Sequence, residues 1–243
     1  MKNQKIINAF EAVRNAVFPE RITCEICHKE LFVGGSFCPE CERKMPYNDG
    51  YVCKKCGRAL KEDYPVCVEC KRSLPEYTAA RSAFSYEGDV VLLIKKFKTG
   101  AKYLARPFAD LLAEAFFKHY GFADLILSVP MTKRALKRRG YNQSELLAKE
   151  LSARLSVAYN GEMLVKTRDT EAQKFLTVRE RAKNLAGSFR VCDRKACKGK
   201  TVLIVDDVLT TGATANAIAK ALFSAHAARV LVLTVASVPL KPD

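Results

Sequence analysis

Apolar and polar positions alternate between two periods along this chain. Val202, Leu203, Ile204 and Val205 form an unbroken, largely β-branched run, which predicts a buried strand over residues 201–205. Residues 124–130 (DLILSVP) and 229–236 predict two more, 162–166 a short one, and 79–85 an edge strand. Helical spacing appears over 88–98, over 103–120, from Asn142 onward and over 216–225. Gly100 separates the first two helices, and Pro107 falls near the start of the second, where proline is tolerated. Strands alternating with helices predict an α/β fold, a parallel sheet flanked by helices. Residues 167–200 lack a clean period and carry no predicted element. A stretch of that length in a compact domain is usually functional.

The first third has a different pattern. Residues 1–20 place Ile6, Ile7, Phe10, Val13 and Val17 at helical spacing, interrupted by Glu11 and Arg14. That predicts an amphipathic helix and lacks the unbroken apolar region of a secretory signal. No apolar run in the chain reaches membrane-spanning length, so the expected location is the cytoplasm. Residues 21–75 are punctuated by four CxxC pairs: Cys24 and Cys27, Cys38 and Cys41, Cys53 and Cys56, Cys67 and Cys70. An offset of 29 positions maps every member of the first four onto the second four, so CxxC-x10-CxxC is an internal repeat. Two such knuckles supply a tetrahedral S4 set, which predicts up to two structural Zn²⁺ ions. Iron in the same S4 geometry, a disulfide scaffold and redox pairs are the alternatives; the expected cytoplasmic location argues against disulfides. Sequential pairing and a cross-braced arrangement (Cys24 and Cys27 with Cys53 and Cys56) both satisfy the spacing. His28 reads as a bystander. Pro75 marks the module's end, giving a division into 1–20, 21–75 and 76–243.

Charge changes the picture of the larger domain. The chain carries a net +15. Residues 1–76 hold 13 Lys and Arg against 11 Asp and Glu; the remainder holds 28 against 15. The excess predicts phosphate-rich partners for the larger domain, with ordinary surface solubility as the plain alternative.

The candidate chemistry sits at two strand ends. After the 201–205 run come adjacent carboxylates, Asp206 and Asp207, then Thr210, Thr211, Gly212, Ala213 and Thr214 leading into the Ala-rich helix. The amino end of a helix offers unpartnered N–H groups and a positive dipole to a phosphate. Gly212 admits close backbone approach, the threonines add hydroxyls, and ionised carboxylates accept from sugar hydroxyls. The stretch therefore asks for a sugar phosphate. The 124–130 strand opens into MTKRALKRRG, residues 131–140, where Lys133, Arg134, Lys137, Arg138 and Arg139 form a dense cationic loop suited to phosphate groups, with a DNA phosphate contact or a solvated basic loop as the plainer alternatives. Cys192 and Cys197 are unassigned thiols, and His119 and His226 read as non-catalytic.

The string VDDVLTTGAT resembles the PRPP-binding motif of type I phosphoribosyltransferases. The resemblance implies ribose hydroxyls on Asp206 and Asp207, the 5′-phosphate on residues 210–214, Mg²⁺ with PRPP, and pyrophosphate on the 131–140 loop. It also implies that residues 167–200 are the mobile loop that closes over substrate, with Arg168, Gln173, Arg181 and Asn184 as its candidate functional residues. RGYNQS at 139–144, with Leu147 and Ala148, and the spaced set Arg168, Gln173, Leu176, Arg181, Asn184 resemble the ComF competence family. Together with the cysteine module, that resemblance covers nearly the whole chain. It implies a double zinc-ribbon module joined to a type I phosphoribosyltransferase domain, acting in cytoplasmic handling of incoming single-stranded transforming DNA. The implied partners are PRPP or a related sugar phosphate, single-stranded DNA and an ATP-driven DNA translocase, without membrane insertion. Only seven residues follow Ala236, and no element that would recognise a base is evident. An active phosphoribosyltransferase with an unidentified acceptor, and a PRPP-sensing regulator, are the other readings.

Overall fold

The computed structural model describes residues 23–31, 35–168, 185 and 187–240. The predicted helix at 1–20 lies outside them, as do Gln173, Arg181 and Asn184. The chain divides into two compact units, Met1–Met45 and Pro46–Asp243, so the second cysteine repeat belongs to the larger unit.

In the smaller unit a short helix, α1 (Pro39–Glu42), carries Cys41 and begins just after Cys38. The larger unit opens with the second repeat and its helix α2 (Val68–Arg72). Then follow β1 (Ala79–Ser85), α3 (Gly88–Lys98), a 3-10 turn at Lys102–Leu104, α4 (Ala105–His119) and β2 (Leu125–Ser128). Next come α5 (Lys133–Arg139), α6 (Gln143–Leu155), β3 (Leu164–Lys166), β4 (Phe189–Val191) and α7 (Arg194–Cys197). β5 (Thr201–Leu209), α8 (Ala213–Ser224) and β6 (Arg229–Ser237) complete it.

β1, β6, β5 and β2 form one wholly parallel sheet in that order, with β1 at an edge as its sequence predicts. Alternate residues of the central strands point to opposite faces. Leu125, Leu127, Val202, Ile204, Val230 and Val232 join Ile218, Ala219 and Leu222 of α8 in one core. α4 and α6 pack against each other; α4 also meets β1 and β6, and α6 meets β2 and β5. Burial on both faces explains why β5 reads as a continuous apolar run. The predicted α3 stripe is real: Val90, Leu93, Ile94 and Phe97 are buried.

Three expectations need correction. β5 extends four residues beyond Val205 because it keeps pairing with β6 through Asp206↔Thr234 and Leu209↔Ser237; the two carboxylates therefore sit on the strand itself. The 131–140 segment is no loop. Thr132 caps α5 through Ala135 N–H, and Gly140, at φ 84°, terminates it in the left-handed conformation. The aperiodic 167–200 stretch also holds structure: β4 pairs antiparallel with β3, and Asp193 caps α7. Strands and helices of three and four residues are too short for periodicity to register.

Candidate functional site

Each cysteine repeat folds into two knuckles. In the first, Thr23 pairs with Glu30 and His28 N–H donates to the Cys24 carbonyl. In the second, Val52 pairs with Ala59 and Gly57 N–H donates to the Cys53 carbonyl. The corner is left-handed in both, with His28 at φ 59° and Gly57 at φ 70°. His28 therefore shapes the turn and is no ligand. The sulfurs of Cys24, Cys27, Cys38 and Cys41 converge within 4.8 Å of one another, as do those of Cys53, Cys56, Cys67 and Cys70. Pairing is thus sequential, one tetrad per repeat. Cys27 and Cys38 sulfurs lie 3.7 Å apart, as do those of Cys56 and Cys67. A tetrahedron with Zn–S bonds of about 2.3 Å separates its sulfurs by about 3.8 Å, so both tetrads fit structural zinc. Backbone N–H groups of Cys38 and Cys67 each donate to a tetrad sulfur at 3.3 Å, the outer hydrogen bonding that steadies thiolate ligands. All ten cysteines are free of disulfides. Cys197 is buried, its sulfur 3.2 Å from that of Met163, and so belongs to the core; Cys192 is exposed.

The second site lies at the carboxyl ends of β2, β5 and β6, where open parallel sheets bind ligands. An open cleft there is lined by Val129, Asp206, Leu209, Thr210, Gly212 and Thr214 among others. Gly212 adopts φ 77° at the N-cap of α8, a conformation that costs glycine little. Thr211 Oγ1 accepts from Ala213 N–H at 3.4 Å, tightening the turn. Asp207 is buried and Asp206 half-buried. Asp206 Oδ1 accepts from Ser144 Oγ at 2.6 Å and from Asp207 N–H at 2.9 Å. Burial, and next the neighbouring Asp207 charge, push the Asp206 carboxyl up to about 7. Asp207 pairs instead with Lys98 Nζ at 3.2 Å.

The sequence-predicted residues Asp206, Asp207, Thr210, Thr211, Gly212, Ala213 and Thr214 thus occupy one strand end and one helix start. Lys133, Arg134, Lys137, Arg138 and Arg139 line one exposed helix, and none of them lines the cleft. Arg139 Nη1 donates to Gln143 Oε1 at 2.9 Å, joining α5 to the first residue of α6. Arg168 Nε donates to Ser188 Oγ at 3.1 Å, beside the β3–β4 pair. Lys98 was missed. In the sequence it is one of three lysines in the last turn of α3, where cations suit the helix dipole without a further role.

A double zinc ribbon domain model matches residues 13–74, and a phosphoribosyl transferase domain model matches residues 136–242. The chain is 32% identical to the DNA utilization protein YhgH of Escherichia coli O157:H7, over 86% of this chain and 87% of that protein. The chain belongs to the ComF competence family. Other relatives in the family's terms are competence protein F of Haemophilus influenzae (28% identical, 82% of this chain and 83% of that protein) and competence protein ComFC of Bacillus subtilis (26%, 76% and 77%). The fold is that of a type I phosphoribosyltransferase, a parallel sheet flanked by helices, with two ribbon-like cysteine sites ahead of it. Among the described residues no helix is long and apolar enough to cross a membrane.

Proposed function

We propose that this ComF family member uses the Asp206–Thr214 cleft to bind PRPP or a related sugar phosphate, and that it acts in the cytoplasm on single-stranded DNA during DNA uptake or utilisation. One observation carries the ligand class: the Asp206 carboxylate and a left-handed glycine at a helix start line one cleft at the end of β5, with Asp207 next to Asp206 on the strand. The 5′-phosphate sits on the backbone of residues 210–214 at the amino end of α8. Asp206 and Asp207 accept from ribose hydroxyls, directly or through a hydrated Mg²⁺, whose preference for oxygen ligands fits this pair. Mg²⁺ supplies neutralisation of the pyrophosphate charge. Ser144 fixes the rotamer of Asp206 through its hydrogen bond, and Lys98 offsets the charge of Asp207 before ligand arrives. The names of the relatives and the exposed cations of α5 support the DNA half of the reading. An ATP-driven translocase is the partner this role calls for.

Calorimetric titration with Mg²⁺–PRPP tests it. The wild type should bind, and the Asp206→Ala, Asp207→Ala double variant should lose binding. Unchanged affinity in the double variant overturns the site. Release of pyrophosphate would make the protein a working transferase and turn the search to its acceptor.

A further inference from the structure

The two cysteine repeats share their ligand set and their knuckle geometry, and two of their departures from each other face the sheet and the phosphate loop. Across the 29-residue offset, Lys29 corresponds to Arg58 and Glu40 to Glu69. Both repeats keep the ion pair: Lys29 Nζ meets Glu40 Oε2 at 2.7 Å, and Arg58 Nη1 meets Glu69 Oε2. Their settings differ. The Lys29 side chain is 63% exposed, while that of Arg58 is 6% exposed. The second arm of the Arg58 guanidinium, Nη2, donates to the backbone carbonyl of Thr210 in the cleft-lining loop. A lysine ammonium is a single point of charge, whereas the planar fork of arginine holds two partners at once.

The corner residue departs in the same direction. His28 becomes Gly57, and a Cβ there would lie 2.3 Å from the Ala80 carbonyl oxygen of β1. The second ribbon is therefore pressed directly on the sheet edge, with Ala80 N–H donating to the Lys55 carbonyl at 2.8 Å. Two further contacts continue along the loop. Fully buried Tyr77 puts its hydroxyl 3.2 Å from where a Gly212 Cβ would be, and Glu76 N–H donates to Asn216 Oδ1 of α8. Residues 210 and 216 are thus held from the ribbon and from the short segment after it, and Tyr77 leaves no room for a side chain at 212.

We propose that the second ribbon is part of the phosphate site: Arg58 is a positioning residue that fixes the 210–214 backbone and ties its readiness for a phosphate to metal in the Cys53, Cys56, Cys67, Cys70 tetrad. The phosphate half rests on the functional reading above; the mechanical half does not.

Arg58→Lys tests it with the residue the first repeat already uses. The variant should keep two zinc ions per chain and a melting temperature near that of the wild type. Amides of residues 209–216 should exchange hydrogen about tenfold faster, while those of β5 from 201 to 205 stay protected. Affinity for ribose 5-phosphate and for Mg²⁺–PRPP should fall by the same factor, because the loss lies at the 5′-phosphate they share. Glu69→Ala, which removes the ribbon ion pair but leaves the Thr210 contact, should change loop exchange far less. Chelation of the wild type should reproduce the Arg58→Lys exchange pattern. Wild-type exchange over 209–216 in folded Arg58→Lys overturns the proposal. Should Arg58→Lys fail to fold, the wild type under chelator decides, since a loop still protected without metal overturns it equally. If the wild type binds neither sugar phosphate, the functional reading falls while the exchange data still decide the coupling.

Discussion

Loss of water on folding pushes the Asp206 carboxyl from its ordinary value near 3.8 up to about 7. Folding therefore raises its proton affinity, and between about pH 4 and 7 the folded chain binds more protons than the unfolded one. Stability must fall as pH rises through that window and level off above it. The neighbouring Asp207 charge adds to the rise and Lys98 restrains it. Asp206→Asn separates charge from shape, because both Ser144 Oγ and Asp207 N–H donate to Oδ1, an oxygen the amide retains. The variant should melt higher than the wild type at pH 8 and lose the advantage towards pH 4. A variant less stable at pH 8 would refute the burial argument. An acid retained at this strand end despite the cost of its desolvation is what a site for hydroxyls or a cation would require.

At the scale of elements, α5 is the clearest case of a helix held by its caps rather than by packing. It buries no residue, and its sequence KRALKRR is held as helix by Thr132 at one end and Gly140 at the other. Such a helix presents its charges to solvent rather than to the core. Glu at positions 137, 138 and 139 in place of Lys, Arg and Arg should weaken single-stranded DNA binding at every sequence. It should also reduce the slope of log affinity against log salt by about 2 if three phosphate contacts are lost. An unchanged slope removes DNA from α5. The same helix shows what the sequence conceals. Buried strands such as β2 and β5 were legible from their apolar runs, and the Asp206–Thr214 stretch from its residue types. α5 was not, because the cues are one capping threonine and one glycine around seven residues without an apolar stripe. β3 was read as a short strand over 162–166, but its partner β4 depends on pairing across a stretch that has no period. Lys98 and Arg58 were hidden for another reason: each acts on a residue more than a hundred positions away, and no local pattern records that.

The whole molecule divides its stability unevenly between metal and apolar burial. The larger unit has a core of the central strands and α8, built on Leu125, Val202, Ile204, Ile218, Leu222 and Val232. The first ribbon has a buried cluster of Cys24, Cys38 and Cys41, against which only Ile26 and Leu31 pack among the described residues. Burial on that scale cannot offset the entropy of ordering the segment, so thiolate–metal bonds must supply the difference. The second ribbon is better placed. Its cysteines are all buried, Leu60, Val66 and Leu240 pack on them, and Arg58 and Gly57 lock it to β1 and the phosphate loop. Chelation in the presence of a thiol reagent should therefore expose four cysteines in a fast phase and four in a slow one. Far-ultraviolet circular dichroism should change little, since the long helices lie outside both ribbons. Arg58→Lys should accelerate the slow phase alone. Eight thiols reacting in one phase would mean that the braced ribbon gains nothing from its contacts. In that case the first ribbon, with Cys27 exposed, would hold its metal as well as the second.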